Sequence, residues 1–126
     1  MNKSWLQMST KRKNKYGNHK TEVDGYKFDS RKEAEKYTEL RSDPSIKNFV
    51  VHPKFELVPK TFKDGVWNRA VYYIADFEVW YMDGRHEIID IKPWSRNTGD
   101  YFLTEVFKLK QKIFDWKYPE LTLVIE

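Results

Sequence analysis

Residues 71–92 read VYYIADFEVWYMDGRHEIIDIK, and this stretch decides the fold class. β-Branched and aromatic residues dominate both halves, and Asp83-Gly84 between them is a turn pair typical of β-hairpins. The stretch therefore predicts two consecutive strands with apolar side chains. Each strand nevertheless carries a carboxylate, Asp76 in the first and Asp90 in the second. Because an unpaired buried carboxylate costs several kcal/mol, these acids require either a partner or a function.

The segments around this hairpin predict a mixed α/β (α+β) domain in which helices flank a mixed sheet. Ser30 and Glu33 match the Ser-x-x-Glu capping box at the start of a helix. Pro53 is expected to break or bend the strand region in which it lies. In order, the predicted elements are a hairpin around Asp24-Gly25, a helix from Ser30, a strand region over 46–59, a turn over 61–67, strands over about 69–81 and 85–92, a polar loop over 93–100, a helix over 101–117 and a strand over 121–126.

The second predicted helix carries an apolar stripe whose members recur at spacings of three and four, the period of one helix face. These residues are Val106, Leu109, Ile113 and Trp116. Three lysines, Lys108, Lys110 and Lys112, lie largely off the stripe, where they face either solvent or an anionic partner.

The net charge of +4 is unevenly distributed along the chain. Residues 1–20 hold six basic side chains and no acidic one, so the rest of the chain carries more acids than bases. The start of the chain also lacks periodicity. We therefore expect a flexible basic arm over 1–20 and a single domain over 21–126. Such an arm is a common way to hold phosphates, although a solubilising tail would have the same composition.

Composition excludes several other classes of protein. The absence of cysteine removes disulfides and thiolate metal sites. No apolar run approaches the roughly 18 residues needed to span a bilayer, and no signal peptide is expected. His19, His52 and His86 are too scattered to suggest a zinc site. These features predict a soluble protein of the cytoplasm.

The register of the central hairpin decides whether its two acids meet. With a two-residue loop, Asp76 would face Ile91 and lie on the opposite face of the sheet from Asp90. With a three-residue loop that ends at Gly84 in the left-handed region, Asp76 pairs with Asp90. Both registers are compatible with the sequence. In either one, Asp90 and Lys92 project from the same face, because they are two residues apart on a strand.

Two adjacent carboxylates repel each other unless a positive charge lies between them. Mg²⁺ meets this need with one or two carboxylates, waters and phosphate oxygens, and Mn²⁺ is a common substitute. Lys92 beside such an ion would orient or deprotonate an attacking water. The alternative interpretation is a structural ion pair between Asp90 and Lys92.

Asp76, then Asp90-Ile91-Lys92, with a helix before and a helix and strand after, resembles the PD-(D/E)XK nuclease pattern and its restriction-endonuclease-like αβββαβ core. Four blocks, FDSRKEAEKYTEL, YIADFEVWYMDG, EIIDIK and FKLKQKIFDWKYP, are similar to a small phage-borne family associated with Holliday-junction resolvases. The likeness extends over about residues 15–126. Two positions depart from the pattern: alanine instead of proline precedes Asp76, and Asp90 replaces the commoner glutamate.

The resemblance implies a Mg²⁺-dependent endonuclease that acts on branched DNA, in the host cytoplasm if the chain is phage-encoded. Asp76 and Asp90 would bind the metal ion, and Lys92 would serve the attacking water. A glutamate of the first helix would support the metal shell: Glu33, unless it is only a helix cap, with Glu35 as the alternative. Two symmetric cuts imply a homodimer. The alternatives are a nuclease for flap or duplex DNA and a non-catalytic DNA-binding module.

DNA contacts are expected from basic residues outside this set. These are Lys11, Arg12, Lys13 and Lys15 in the arm, and Lys108 and Lys110 on the second helix. Trp67, Trp94 and Tyr101 are candidates for stacking on unpaired bases, although most aromatic side chains must lie in the core.

Overall fold

The computed structural model describes residues 20–126 and divides the chain into two compact units, Met1–Ser42 and Asp43–Glu126. The arm predicted over residues 1–20 lies outside the described residues except for Lys20. Its flexibility and the domain boundary after it therefore stay predictions.

The first unit contains a β-hairpin followed by a helix, as the sequence predicted. Strands β1 (Thr21–Val23) and β2 (Tyr26–Phe28) are antiparallel. The two residues between them have positive φ angles, 52° at Asp24 and 82° at Gly25, as a tight two-residue hairpin loop requires. Helix α1 (Arg31–Ser42) follows the hairpin.

The capping box predicted at the start of α1 is confirmed. Ser30 Oγ accepts the N–H of Glu33 at 3.1 Å, and Glu33 Oε2 accepts the N–H of Ser30, also at 3.1 Å. The same Glu33 oxygen accepts the N–H of Asp29 at 2.7 Å. The rings of Phe28 and Tyr37, whose centroids lie 5.5 Å apart, join the hairpin to the helix.

The second unit is built on a mixed sheet. Its elements are β3 (Ile46–Val51), β4 (Lys54–Val58), β5 (Thr61–Lys63), β6 (Val66–Asn68), β7 (Val71–Ile74), β8 (Phe77–Tyr81), β9 (His86–Asp90), β10 (Trp94–Ser95), β11 (Asp100–Tyr101), α2 (Glu105–Lys117) and β12 (Thr122–Ile125). The main sheet has the order β12-β9-β8-β3, in which β12 is parallel to β9 and the other pairs are antiparallel. Neighbouring parallel strands require a crossover, and α2 provides it. The predicted mixed α/β class is therefore confirmed.

The long strand predicted over 69–81 is two strands, because the chain bends at Ala75-Asp76. Here β7 leaves the main sheet and pairs with β4. The neighbouring strand region bends at the same level, between β3 and β4, where Pro53 interrupts it as predicted. Two backbone hydrogen bonds join the bends, from His52 N–H to Asp76 O at 2.9 Å and from Ala75 N–H to Pro53 O at 3.1 Å.

The β8–β9 hairpin has the register with a three-residue loop. Phe77 lies opposite Ile89, and the N–H of Tyr81 donates to the carbonyl of Arg85 at 2.9 Å. Gly84, the last residue of the loop, has a φ angle of 94°, which glycine adopts at little cost. Of the two registers that the sequence allowed, this is the one that pairs the two acids.

Helix α2 begins later than predicted, and of its predicted apolar stripe only Ile113 packs against the core cluster. Thr104 caps the helix by accepting the N–H of Phe107 at 3.1 Å. The core cluster comprises Leu57, Tyr73, Ala75, Ile88, Phe107 and Phe114. Val106, Leu109 and Trp116 of the predicted stripe are exposed instead. In the part of the chain that the structure describes, no helix is long and apolar enough to cross a membrane.

Candidate metal and catalytic site

The bend before β8 brings Asp76 to the end of β9. The N–H of Asp76 donates to the carbonyl of Ile89 at 3.1 Å, and Asp76 Oδ2 accepts the N–H of Ile91 at 2.6 Å. These two contacts lie on either side of Asp90 in the chain. The register of the hairpin, extended by one residue beyond Phe77 and Ile89, likewise sets Asp76 opposite Asp90. The register with the three-residue loop, one of the two that the sequence allowed, therefore places the two acids opposite each other.

The Ile91 contact has a simple cause. On its other side β9 continues its pairing with β12, because the N–H of Lys92 donates to Glu126 O at 2.9 Å and the N–H of Glu126 donates to Asp90 O at 3.0 Å. The N–H of Ile91 points the opposite way, toward the place where β7 has bent out of the sheet. A buried N–H needs an acceptor, and the Asp76 carboxylate supplies one.

Asp90 is held by two side chains. Its Oδ1 lies 2.8 Å from Lys92 Nζ, and its Oδ2 accepts a short hydrogen bond from the Tyr73 hydroxyl. The Asp90 side chain is only 5% exposed, whereas that of Lys92 retains 23%. Lys92 Nζ also lies 4.1 Å from the centroid of the Phe107 ring, a cation–π contact. The predicted same-face placement of Asp90 and Lys92 is confirmed by this ion pair.

Tyr73 is buried beside both acids. Burial is the largest cause that raises its pKa above the ordinary value, followed by the negative charge of Asp90 and the hydrogen bond to it. The charge of Asp76 acts in the same direction. A phenol is protonated at neutral pH in any case, and the raised pKa extends the range in which Tyr73 donates to Asp90 into alkaline pH.

An open cleft of about 270 Å³ adjoins these residues. Asp90, Lys92 and Tyr73 line one part of it, and Phe107 and Lys110 of α2 line another. The cleft therefore combines one carboxylate with two cationic side chains. A phosphate group entering it would meet both ammonium groups.

The carboxylate oxygens of Asp76 and Asp90 suit a hard divalent cation that takes only one or two of its ligands from the protein. Within residues 20–126, no three His, Cys, Asp or Glu side chains are grouped so that they could hold a metal ion. The candidate ligands are thus the two carboxylates of Asp76 and Asp90. Mg²⁺ is commonly bound by one or two carboxylates, with waters and substrate oxygens completing the shell. A carboxylate has about four lone-pair directions, so the two partners of Asp90, Lys92 and Tyr73, leave it able to accept a further ligand.

The other predicted site residues fall into three groups. Glu33 belongs to the first unit, where its observed contacts are those of a helix cap, and its role in a metal shell stays a prediction. Lys110 lines the cleft, whereas Lys108 is exposed and lies 3.3 Å from Glu105 Oε1. The predicted DNA contacts of the arm lie outside the described residues; they are Lys11, Arg12, Lys13 and Lys15.

Sequence reasoning missed Tyr73 and Phe107 as supports of the site. Tyr73 is one of two adjacent tyrosines in a strand, and no local pattern distinguishes the tyrosine that binds Asp90 from its exposed neighbour. Phe107 is one residue after Val106, a member of the apolar stripe. Its buried position follows from the way α2 packs rather than from spacing alone.

The fold and site define a mixed α/β protein with two acids and a lysine gathered at the ends of the two central strands of its main sheet. Residues 13–126 match the family described as a protein of unknown function, DUF1064, and the chain belongs to this family. No curated protein matches the chain, and no solved structure does.

Proposed function

We propose that this protein is a metal-dependent endonuclease that hydrolyses phosphodiester bonds in branched DNA, in the manner of a Holliday-junction resolvase. One observation carries the proposal. Asp76 and Asp90 lie opposite each other in the strand register where β8 and β9 meet the bend, Lys92 is paired with Asp90, and Asp90 and Lys92 line an open cleft. A pair of acids followed by a lysine in this arrangement provides both cation ligands and an ammonium group that can orient the attacking water.

In the proposed reaction, Asp76 and Asp90 hold a Mg²⁺ ion, which would act as a Lewis acid on the phosphate when bound. Lys92 Nζ, an ammonium group in its ion pair with Asp90, orients the attacking water and neutralises charge that develops on the phosphate. Lys110, on the other side of the cleft, neutralises the phosphate charge. Tyr73 positions the Asp90 carboxylate through its hydroxyl.

The order of the elements also supports the proposal. Along the chain α1, β3, β8, β9, α2 and β12 follow one another, with short hairpins inserted. This order resembles the αβββαβ core of PD-(D/E)XK nucleases, and on our proposal Asp76 and Asp90 would correspond to its two acids. The membership of that superfamily is part of our proposal.

A homodimer is proposed because a four-way junction is resolved by two symmetric cuts. The exposed residues Val106, Leu109 and Trp116 of α2 support this part of the proposal. Their spacing of three and seven residues sets them along one side of the helix, where a second copy could cover them. Exposed apolar surface of this kind commonly marks a protein interface.

The second candidate function is non-catalytic DNA binding. Both carboxylate oxygens of Asp90 have a protein partner, which is what a structural ion pair also requires. In that case the domain would bind branched DNA through its lysines without cutting it. A nuclease of the same fold that prefers flap or duplex DNA is the nearer alternative.

Cleavage assays on matched substrates test these alternatives. A labelled four-way junction, a flap and a linear duplex of the same sequence are incubated with the full chain, with Mg²⁺, with Mn²⁺ or with chelator. We expect cleavage of the junction only with a divalent cation and none by Asp90→Asn. Binding of all substrates without cleavage under any condition would support the non-catalytic module. Faster cleavage of the flap or of the duplex than of the junction would show that this DNA, and not the junction, is the preferred substrate.

A further inference from the structure

The β5–β6 hairpin is exposed along its whole length. Every residue of Thr61–Lys63 and of Val66–Asn68 is solvent-exposed, as are the turn residues between them. The hairpin contributes nothing to the core cluster of this unit. A lone two-stranded hairpin is only marginally stable in water, so large apolar side chains on it need a reason other than folding.

One face of the hairpin carries an aromatic pair and a cation. Phe62 lies directly opposite Trp67, and their ring centroids are 5.0 Å apart. These side chains are among the most exposed large apolar ones, at 58% and 61%. Lys60 Nζ lies 4.5 Å from the centroid of the Trp67 ring. The face therefore presents two π surfaces next to a positive charge.

The charge around the hairpin is strongly biased. Residues 58–70 contain three basic side chains, Lys60, Lys63 and Arg69, and one acid, Asp64 at the turn. The local charge is thus positive, and two such hairpins would repel each other. An anionic ligand with planar apolar groups matches this surface better than a second copy of the chain. Unpaired nucleic acid has both properties, because each nucleotide joins a phosphate to a base with two π faces.

We propose that the β5–β6 hairpin is a stacking platform for unpaired nucleobases, with Phe62 and Trp67 as the stacking rings and Lys60 as a phosphate contact. Base–aromatic stacking is tolerant of sequence, so the platform would distinguish unpaired from paired strands rather than one base from another. The inference deepens the proposed nuclease function, since a branch point exposes bases that a duplex stacks. It concerns binding alone and does not depend on cleavage.

The test is binding of a labelled single-stranded oligothymidylate to the full chain without a divalent cation, so that cleavage plays no part. Trp67→Ala should weaken binding about tenfold or more, within the range for loss of one base–aromatic stack. Trp67→Phe keeps a π face and should restore most of the affinity. Because Trp67 packs against no core residue, the melting temperature of Trp67→Ala should match that of the wild type.

A matched control is available on the same hairpin. Val66 has an exposed fraction of 59% and stands opposite Lys63, on the other face from Trp67. Val66→Ala should leave binding of the oligonucleotide unchanged, and Trp67→Ala should leave binding to a blunt duplex of equal length unchanged. Equal affinities of wild type and Trp67→Ala for the single strand would overturn the proposal. So would a Trp67-dependent self-association without any loss of oligonucleotide binding.

The two inferences can fail separately. If the protein binds single strands through Trp67 but never cleaves junctions, the stacking platform is supported and the proposed nuclease function is wrong. If Trp67→Ala cleaves junctions and binds the single-stranded oligonucleotide as tightly as wild type, the nuclease function is supported and the stacking platform is wrong.

Discussion

The Asp76 carboxylate accepts the backbone N–H of Ile91 at 2.6 Å, although the two residues are fifteen positions apart in the chain. This hydrogen bond fixes an acid from the bend before β8 to the residue that follows the second acid, Asp90. The geometry explains why an acid can occupy an apolar strand region. The bend removes the usual strand partner of Ile91, and the carboxylate replaces it while remaining close to Asp90.

Substitutions at Asp76 should separate this structural contact from a role in cation binding. Asp76→Asn keeps an oxygen that can accept the Ile91 N–H, so its unfolding free energy should stay within about 1 kcal/mol of wild type. Asp76→Ala leaves the N–H without that acceptor and should cost about 1–3 kcal/mol. We expect cleavage in Mg²⁺ to fall by at least 100-fold in both variants. Denaturant unfolding and junction cleavage provide the two measurements, and wild-type cleavage by Asp76→Asn would exclude Asp76 as a metal ligand.

Tyr73 should make stability sensitive to alkaline pH. Its pKa in the folded protein is raised above the ordinary value of 10.0, first by burial and then by the charge of Asp90. Above pH 10 the unfolded chain therefore loses a proton that the folded chain keeps. The stabilising contribution is complete below pH 10 and decreases as pH rises, by up to about 1.4 kcal/mol per pH unit.

Tyr73→Phe is the matched control for this effect, because it keeps the ring that packs against Phe107 and Phe114. At neutral pH the variant should be less stable by about 1.5–3 kcal/mol, as expected for loss of a hydrogen bond to a charged group. Between pH 9 and roughly 11, its unfolding free energy should decline less steeply than that of wild type. Identical slopes for the two proteins would show that Tyr73 titrates as an ordinary tyrosine.

The sequence predicted the order of the elements because that order follows from local patterns. Turn pairs such as Asp24-Gly25, the capping box at Ser30 and the alternation before Gly84 each depend on a few neighbouring residues. The bend at Ala75-Asp76 was missed, since it arises from a neighbouring strand that Pro53 interrupts far earlier in the chain. The strand propensity of residues 69–81 gives no information about the neighbouring strand region that Pro53 interrupts.

Of the candidate site, the sequence predicted only Asp76, Asp90 and Lys92. Asp76 and Asp90 stood out as charges in apolar strands, and Asp90 and Lys92 follow the two-residue period of a strand. Tyr73 could not be identified, because its contact depends on how β7 bends over the end of β9. The face of α2 was likewise decided by packing. Phe107 and Phe114 are buried there, while the regularly spaced Leu109 is exposed.

The basic arm should govern the salt dependence of DNA binding. Deleting residues 1–19 removes five cations and no acid, so affinity should fall and the slope of log K against log salt should become shallower. Replacing Lys11, Arg12, Lys13 and Lys15 by glutamine tests charge without shortening the chain, and the slope should change by up to about 4 on duplex arms. Fluorescence anisotropy at several salt concentrations measures both. Unchanged slopes would reduce the arm to a solubilising tail.

The exposed stripe of α2 should carry the proposed dimer contact. Leu109→Lys introduces a charge at its centre, so the variant should sediment as a monomer at concentrations where wild type is a dimer. Lys47→Gln, at an exposed position of β3 away from this helix, is the control and should leave the mass in solution unchanged. Sedimentation equilibrium decides the matter. A wild-type protein that is monomeric throughout would remove the dimer from the proposal.

The pair formed by Asp90 and Lys92 distinguishes catalysis from structure through a double-mutant cycle of Asp90→Asn, Lys92→Met and the double variant. An ion pair that only stabilises the fold predicts that each single change is costly, at up to about 3–5 kcal/mol for a fully buried pair, and that the double variant regains much of the loss. The cost should be smaller here, since Lys92 keeps 23% of its side chain exposed.

A catalytic pair predicts a different pattern in activity. Each single variant should lose cleavage by orders of magnitude, and the double variant should not regain it, because neither the cation ligand nor the ammonium group that orients the water is restored. Junction binding by Asp90→Asn should survive, as phosphate contacts come from other cations. Cleavage rates are compared per folded molecule, with the folded fraction taken from the melting curve. If folded Asp90→Asn still cuts junctions in Mg²⁺, then Asp90 serves only the fold and the nuclease site lies elsewhere.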